Sequence, residues 1–257
     1  DNVKWSTLKK EPVEEIVFAS MREARDFVKQ YDEVSNFTIY GNTRYDYTFI
    51  SDAFPEDIEW DIKQVCIATI DIEVSSENGF PEPNQANETI TAITVHLNNK
   101  YYVFACGDYT PHIEDVEFCN CEDEYQLIDK FIDFWSLNCP DIVTGWNVKF
   151  FDIPYLINRI KKIYGDDKTK KFSPWGKVDA YEVNYKGKDH QCYDIMGVSI
   201  LDYYELYRKY SSNPNQESFK LDHICFVELG ERKLDFSEFE NLYQLYKIDF
   251  QKFIEYN

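Results

Sequence analysis

An α/β fold is predicted by three features of the sequence: an apolar run that ends in two alternating carboxylates, a hairpin signal after it, and two amphipathic helical segments separated by a short apolar one. Residues 65–74 are apolar on both faces until Asp71, which predicts a central strand covered on both sides. Residues 88–97 and 101–106 predict two further strands. Asn98 and Asn99 between them tolerate positive φ, so the pair reads as a hairpin. Over 122–137, Tyr125, Ile128, Phe131, Ile132 and Trp135 recur at helical spacing. Residues 141–145 form a short strand. Pro154 in a first turn and Gly165 after a last turn bracket a second helix, with Lys161 and Lys162 near its C-terminal end. Residues 1–64 are less regular. A helix is expected over 20–31, with Met21, Phe27 and Val28 packing inward, and extended segments over 37–40 and 45–50. A boundary is expected near residues 60–63, where the regular pattern begins.

Composition narrows the function. The 257 residues carry 27 Lys and Arg against 47 Asp and Glu, a formal charge of -20, while 44% hydrophobic and 17% aromatic residues mark a globular chain rather than an acidic tail. Such a charge excludes a globally basic nucleic-acid coat but leaves room for one local nucleic-acid site. The apolar run over 65–70 is far too short to span a bilayer, and no signal-peptide pattern opens the chain, so a cytoplasmic protein without membrane contact is expected. The seven Cys contain no Cys-x-x-Cys pair, and Cys119 and Cys121 have no nearby His. Reduced thiols are expected rather than zinc. The four His suggest neither a nucleophile nor a metal cluster. Charge is also segregated along the chain: residues 101–139 hold nine acidic residues and one basic, whereas 147–188 hold ten basic and five acidic. The basic segment is where a phosphodiester is expected to arrive, the alternative being a merely solvated helix end.

Asp71-Ile72-Glu73 is the sharpest local feature. With a side-chain period of two, Asp71 and Glu73 share one strand face while Ile70, Ile72 and Val74 share the other. Two carboxylates side by side on a central strand repel and lose hydration unless a cation lies between them. Hard oxygen ligands suit Mg²⁺ or Mn²⁺; the alternative is that both face solvent. Asn147 and Asp152 fall in the loop from the 141–145 strand to the helix at Pro154, at the carboxyl end of a strand where α/β ligands bind. A plain helix cap is the alternative reading of Asp152.

Taken together, Asp71-Ile-Glu73, Thr144-Gly-Trp-Asn147 with Phe151-Asp152, and Tyr256 resemble the three exonuclease motifs of family B DNA polymerases, T-even bacteriophage type. Flanking stretches extend the resemblance over the chain: residues 20–26 and 47–52, Phe80-Pro-Glu-Pro, and residues 171–177, 197–207 and 218–222. The resemblance implies a ribonuclease H-like exonuclease fold, a mixed sheet flanked by helices, over 65–257. It also implies an inserted β-hairpin over 178–195 turning at 186–189, and part of an α+β N-terminal domain over 1–64. The implied activity is 3′→5′ proofreading by two-metal hydrolysis. Asp71 would bridge both ions, Glu73 would hold the one carrying the attacking water, Asp152 would serve the second, and Tyr256 would orient the water. Asn147 and Phe151 would meet the terminal nucleotide. Phe80 would stack on the single-stranded 3′ end, or alternatively just cover the core. Lys186 and Lys188 of the hairpin would meet DNA.

One departure stands out. The family's third motif is Tyr-x-x-x-Asp, and here Tyr256 is followed by Asn257 alone. Asp249 lies seven positions before the Tyr, about two helical turns away, and is no substitute. With no Met before Asp1, the chain is expected to be a piece of a longer polymerase that lacks its last catalytic Asp and is nuclease-deficient as it stands. Its partners would be a single-stranded DNA 3′ end and the remaining palm, fingers and thumb, in a host-cell cytoplasm if phage-encoded. A free-standing exonuclease and a non-hydrolytic single-stranded-DNA or partner-binding module are the competing readings.

Overall fold

The computed structural model describes residues 5–41, 45–57, 59–77, 79–185, 187–213 and 215–257. The chain forms two compact units, Asp1–Asp61 and Ile62–Asn257. In the first, β1 (Trp5–Ser6) pairs antiparallel with β2 (Pro12–Val13), followed by helices α1 (Met21–Tyr31) and α2 (Tyr45–Ala53). Ser20 caps α1 by accepting the Glu23 amide at 3.2 Å. Phe27 packs against Phe18, Tyr31 and Phe37, with ring centroids 4.5–6.1 Å apart. Met21 is exposed, contrary to expectation. The extended segments expected at 37–40 and 45–50 are corrected as well. The first forms no strand and the second is helical. Aromatic and β-branched residues favour a strand only where a pleated neighbour exists to pack on, and Tyr47, Phe49 and Ile50 are exposed instead.

The second unit follows the order β3 (Ile67–Val74), β4 (Ile90–Leu97), β5 (Lys100–Ala105), β6 (Val116–Asn120), α3 (Glu124–Leu137), β7 (Ile142–Gly145), α4 (Asp152–Tyr164) and α5 (Asp166–Thr169). Then come β8 (Val178–Tyr185), β9 (Lys188–Ile195), β10 (Ser199–Asp202), α6 (Tyr203–Tyr210), α7 (Leu221–Leu229), α8 (Leu242–Ile248) and α9 (Phe250–Tyr256). Among the described residues a six-stranded sheet runs β10-β7-β3-β4-β5-β6. β3, β4 and β5 are antiparallel, and β7, β10 and β6 join parallel to their neighbours. Asn98 and Asn99 turn the β4–β5 hairpin with φ of 52° and 62°. β6 has too mixed a composition for the alternation to reveal it. β8 and β9 form a separate antiparallel hairpin.

Two cores hold the sheet. On one face, Ile70, Ile72 and Val95 pack under Phe131, Trp135, Leu156 and Ile160 of α3 and α4. Leu127 lies on the buried stripe of α3, whereas Tyr125 points out. On the other face, Ala92, Val103 and Ala105 meet Leu245, Phe253 and Ile254 of α8 and α9. β3 is central, but it is not covered on both faces as expected. Ile70, Ile72 and Val74 are buried, Thr69 is exposed, and Asp71 and Glu73 are half-buried. Its second face therefore opens where the carboxylates stand.

Gly145, the last residue of β7, explains how closely the strands approach there. A Cβ on it would lie 2.6 Å from the Ile70 carbonyl oxygen, a backbone atom that cannot swing aside. Gly145→Ala should destabilise the chain by about 1–3 kcal/mol in urea denaturation; an unchanged midpoint would show that β7 can shift freely.

Candidate active site

The site begins where β7 leaves β3. The two strands pair only from Ile67 to Thr69, so farther along β3 the backbone has no strand partner on that side. The Ile72 amide is taken instead by Asp152, whose Oδ1 accepts it at 3.1 Å. Asp152 is the first residue of α4 and only 3% exposed; Phe151 occupies the cap position, so Asp152 is not the plain cap that sequence left open. Across β3, Asp71 pairs with Thr94 and Glu73 with Ala92 on β4. Asn257, just after α9, ties this arrangement together. Its Nδ2 donates to Asp71 Oδ2 at 3.3 Å, and its Oδ1 accepts the Thr94 hydroxyl.

Burial and mutual repulsion set the electrostatics. Burial raises the Asp71 carboxyl, opposed by Lys233 and by the Asn257 hydrogen bond. Glu73 is pushed up to about 8 by burial and then by Asp71, with Lys233 pulling it back. Asp152 is held well above the usual carboxylate range by burial and then by Asp71, despite the Ile72 amide. Each group thus resists ionising beside the others. Lys233 was not foreseen. Its ammonium lies 4.6 Å from the Tyr256 ring centroid, and although burial pulls its pKa down, Tyr256, Asp71 and Glu73 together raise it. Asp222 fixes it by accepting the Lys233 amide at 2.9 Å. Sequence offers no signal for this residue, which reads as one more surface Lys.

The second motif is held by another unforeseen carboxylate. Asp202, 2% exposed, accepts the amides of Asn147 and Lys149, both at 3.0 Å, and of Tyr204 at 2.9 Å. Those bonds hold Asn147 at φ 68°. Asn147, Phe80, Phe151 and Lys188 all line one cleft of about 260 Å³, with Phe150, Tyr185 and His190. Phe80 is 80% exposed, with its ring 5.6 Å from Phe151, so it lies over the cleft rather than over the core. Lys188 reaches across to Glu82, Nζ to Oε1 3.5 Å. Lys186 lies outside the described residues. Tyr256 packs edge-on against Phe236 at 5.0 Å on α9. Asp249 caps α9 by accepting the Lys252 amide, a structural duty.

Among the described residues, Lys188 lines the cleft but much of the basic surplus lies elsewhere. Lys161 and Lys162 end α4, about 14 Å along the axis from Asp152 at its start. Lys168 pairs with Asp129 at 2.8 Å and Lys171 with Asp133 at 3.7 Å, so the basic stretch is partly neutralised by the acidic helix α3. The donor set of Asp71, Glu73 and Asp152 has the chemistry of a hard divalent cation site, with oxygen ligands alone whose repulsion such an ion would relieve. Among the described residues, though, no three His, Cys, Asp or Glu side chains already form a cage for one.

Comparison with known proteins identifies the family. Residues 17–224 match the family model described as DNA polymerase family B, exonuclease domain. The chain belongs to this family. Its six-stranded mixed sheet flanked by helices is accordingly the ribonuclease H-like fold of an exonuclease domain. It is 31% identical to the DNA-directed DNA polymerase of Escherichia phage RB69, over 99% of this chain and 31% of that protein. It is 32% identical to that of Enterobacteria phage T4, over 93% of this chain and 29% of that one. A herpesvirus 7 DNA polymerase catalytic subunit is 29% identical over 82% of the chain and 21% of its own length. The chain therefore spans about a third of the phage polymerases it matches. Among the described residues no helix is long and apolar enough to cross a membrane.

The raised carboxyl of Glu73 carries a pH signature. Its folded pKa of about 8 exceeds the ordinary 4.5. Stability from this group is thus fully present below pH 4.5 and is lost as pH rises through 8. In chelator, Glu73→Gln should raise the melting temperature at pH 8.5 by several degrees and do little at pH 4.5. Equal effects at both pH values would contradict the assignment.

Proposed function

We propose that this chain is the 3′→5′ proofreading exonuclease part of a phage-type replicative DNA polymerase, acting on single-stranded or frayed 3′ ends. The observation that carries this reading is the set of converging carboxylates, half-buried Asp71 and Glu73 on one face of β3 and buried Asp152 at its unpaired edge, all held above their ordinary pKa. Two Mg²⁺ or Mn²⁺ ions would supply an activated water and neutralise charge on the phosphate. Asp71, Glu73 and Asp152 would hold them, and ionise fully on doing so.

The remaining groups bind and orient the strand. Phe80 and Phe151, 5.6 Å apart, present ring faces to the terminal bases, where stacking contributes roughly 1–3 kcal/mol per base without reading sequence. Asn147, fixed by Asp202, holds the terminal nucleotide, and Lys188 meets a phosphate in place of Glu82. Tyr256 aligns the water, its hydroxyl steadied by Lys233. Water then attacks the terminal phosphorus, the P–O3′ bond breaks, the proton returns to the leaving 3′ oxygen, and a nucleoside 5′-monophosphate departs. In the cell, the palm, fingers and thumb of the parent polymerase would deliver the frayed end, in the cytoplasm of a phage host.

Metal binding is the direct readout of the carboxylate set on which this reading rests. Calorimetric titration with Mn²⁺ in the presence of a single-stranded oligonucleotide should show uptake that Asp71→Ala abolishes. Oligonucleotide affinity without Mn²⁺ uptake would favour a non-hydrolytic binding module instead.

A further inference from the structure

Besides Asn147, Phe150, Phe151 and Tyr204, the cleft is lined by two walls from distant parts of the chain. One is the loop through Phe80, Glu82 and Pro83; the other is the tip of the β8–β9 hairpin, with Tyr185 and His190. Neither wall belongs to the six-stranded sheet, so the sheet's hydrogen bonds do not set the distance between them. That distance matters, because a base must fit between the walls without leaving room for water beside it.

Besides the exposed Lys188–Glu82 ion pair at 3.5 Å, a side chain of α4 touches both. Asn158, half-buried on α4 and outside the cleft lining, donates from Nδ2 to the Pro83 carbonyl at 3.0 Å and to Gln191 Oε1 of β9 at 3.2 Å. Its Oδ1 accepts the hydroxyl of Tyr193, also on β9 and only 7% exposed. Both donor hydrogens and the acceptor oxygen are therefore used, one arm on the loop and two on the hairpin. Neighbouring residues of α4 hold the loop alone. Arg159 donates to the carbonyls of Ala86 at 3.2 Å and Asn87 at 2.8 Å, and Tyr155 donates to that of Glu88 at 2.7 Å. Asn158 lies on the helix that begins with Asp152, so both walls are referred to the rigid element that carries one of the three site carboxylates.

We infer that Asn158 is a positioning residue that sets the width of the strand cleft by joining the loop wall to the hairpin wall. The inference rests on the exonuclease reading for what enters the cleft, but the joint itself can be tested without it. Three variants separate the arms. Asn158→Asp keeps an acceptor for Tyr193, can still hold Gln191 once that amide turns to donate from Nε2, and loses the donor to Pro83. Tyr193→Phe removes one hairpin arm at nearly constant volume, and Asn158→Ala removes everything.

Hydrogen exchange by mass spectrometry on the chain gives the first readout. Asn158→Asp should speed exchange in residues 80–88, Tyr193→Phe in 188–195, and Asn158→Ala in both, while α3 and β3–β5 exchange as before. Anisotropy of a labelled single-stranded oligonucleotide gives the second: each single-arm variant should weaken binding by roughly threefold to tenfold. Unchanged exchange at the walls overturns the inference, as does faster exchange spread through α3 and the sheet, which would mark Asn158 as plain structural support. Unchanged affinity in all three variants also overturns it. If the original chain fails to bind the oligonucleotide while its walls respond as stated, the exonuclease reading has failed, and the role of the joint in strand binding fails with it.

Discussion

Asp152 accepts the Ile72 amide at the point where β7 stops pairing with β3, and most of the site follows from that bond. A β-strand whose edge is suddenly unpaired must find another acceptor for its buried N–H groups. A carboxylate at the first turn of α4 supplies one and, in doing so, is brought beside Asp71 and Glu73. The gap between β7 and β3 and the convergence of carboxylates are therefore one event. Its electrostatic cost is visible in all three groups, whose pKa values lie above the ordinary range. Lys233 and the Asn257 amide relieve Asp71 and Glu73 in part. A divalent cation would relieve them further, and this links the fold to its chemistry.

The same economy appears in the charge distribution. The acidic helix α3 and the basic stretch in and after α4 look in sequence like separate patches of opposite sign. In the fold they lie against each other, through Arg159–Glu124, Lys168–Asp129 and Lys171–Asp133. On the proposed reading these paired basic residues are not free for DNA, and strand capture at the cleft would rest on aromatic faces and a few polar groups. That suits an exonuclease that must release whatever base it has just removed. The net charge of -20 then has two sources: a carboxylate cluster and an acidic surface that is partly paired.

What was legible in the sequence was what local chemistry decides. The period of two placed Asp71 and Glu73 on one face, Asn98-Asn99 gave the hairpin turn, and Pro154 with Gly165 framed α4. Residues joined only by the tertiary fold were not legible. Lys233, Asp202 and Asn158 are single polar residues whose roles depend on partners far away in the chain. The helix at 45–53 was misread because aromatic residues there suggested strand pairing, and the double cover of β3 because apolar flanks masked the alternation. The roles proposed for Phe80 and Tyr256 rest on the family resemblance, since no local pattern encodes them.

The central claim is that the repulsion among Asp71, Glu73 and Asp152 is there to be neutralised by divalent metal. Crystals of the chain soaked in Mn²⁺ and measured at the manganese absorption edge address it directly. The account predicts anomalous peaks within coordination distance of oxygens from Asp71, Glu73 and Asp152, with the Ile72–Asp152 bond intact. Manganese bound only elsewhere, or absent while these carboxylates keep the arrangement described above, would contradict it.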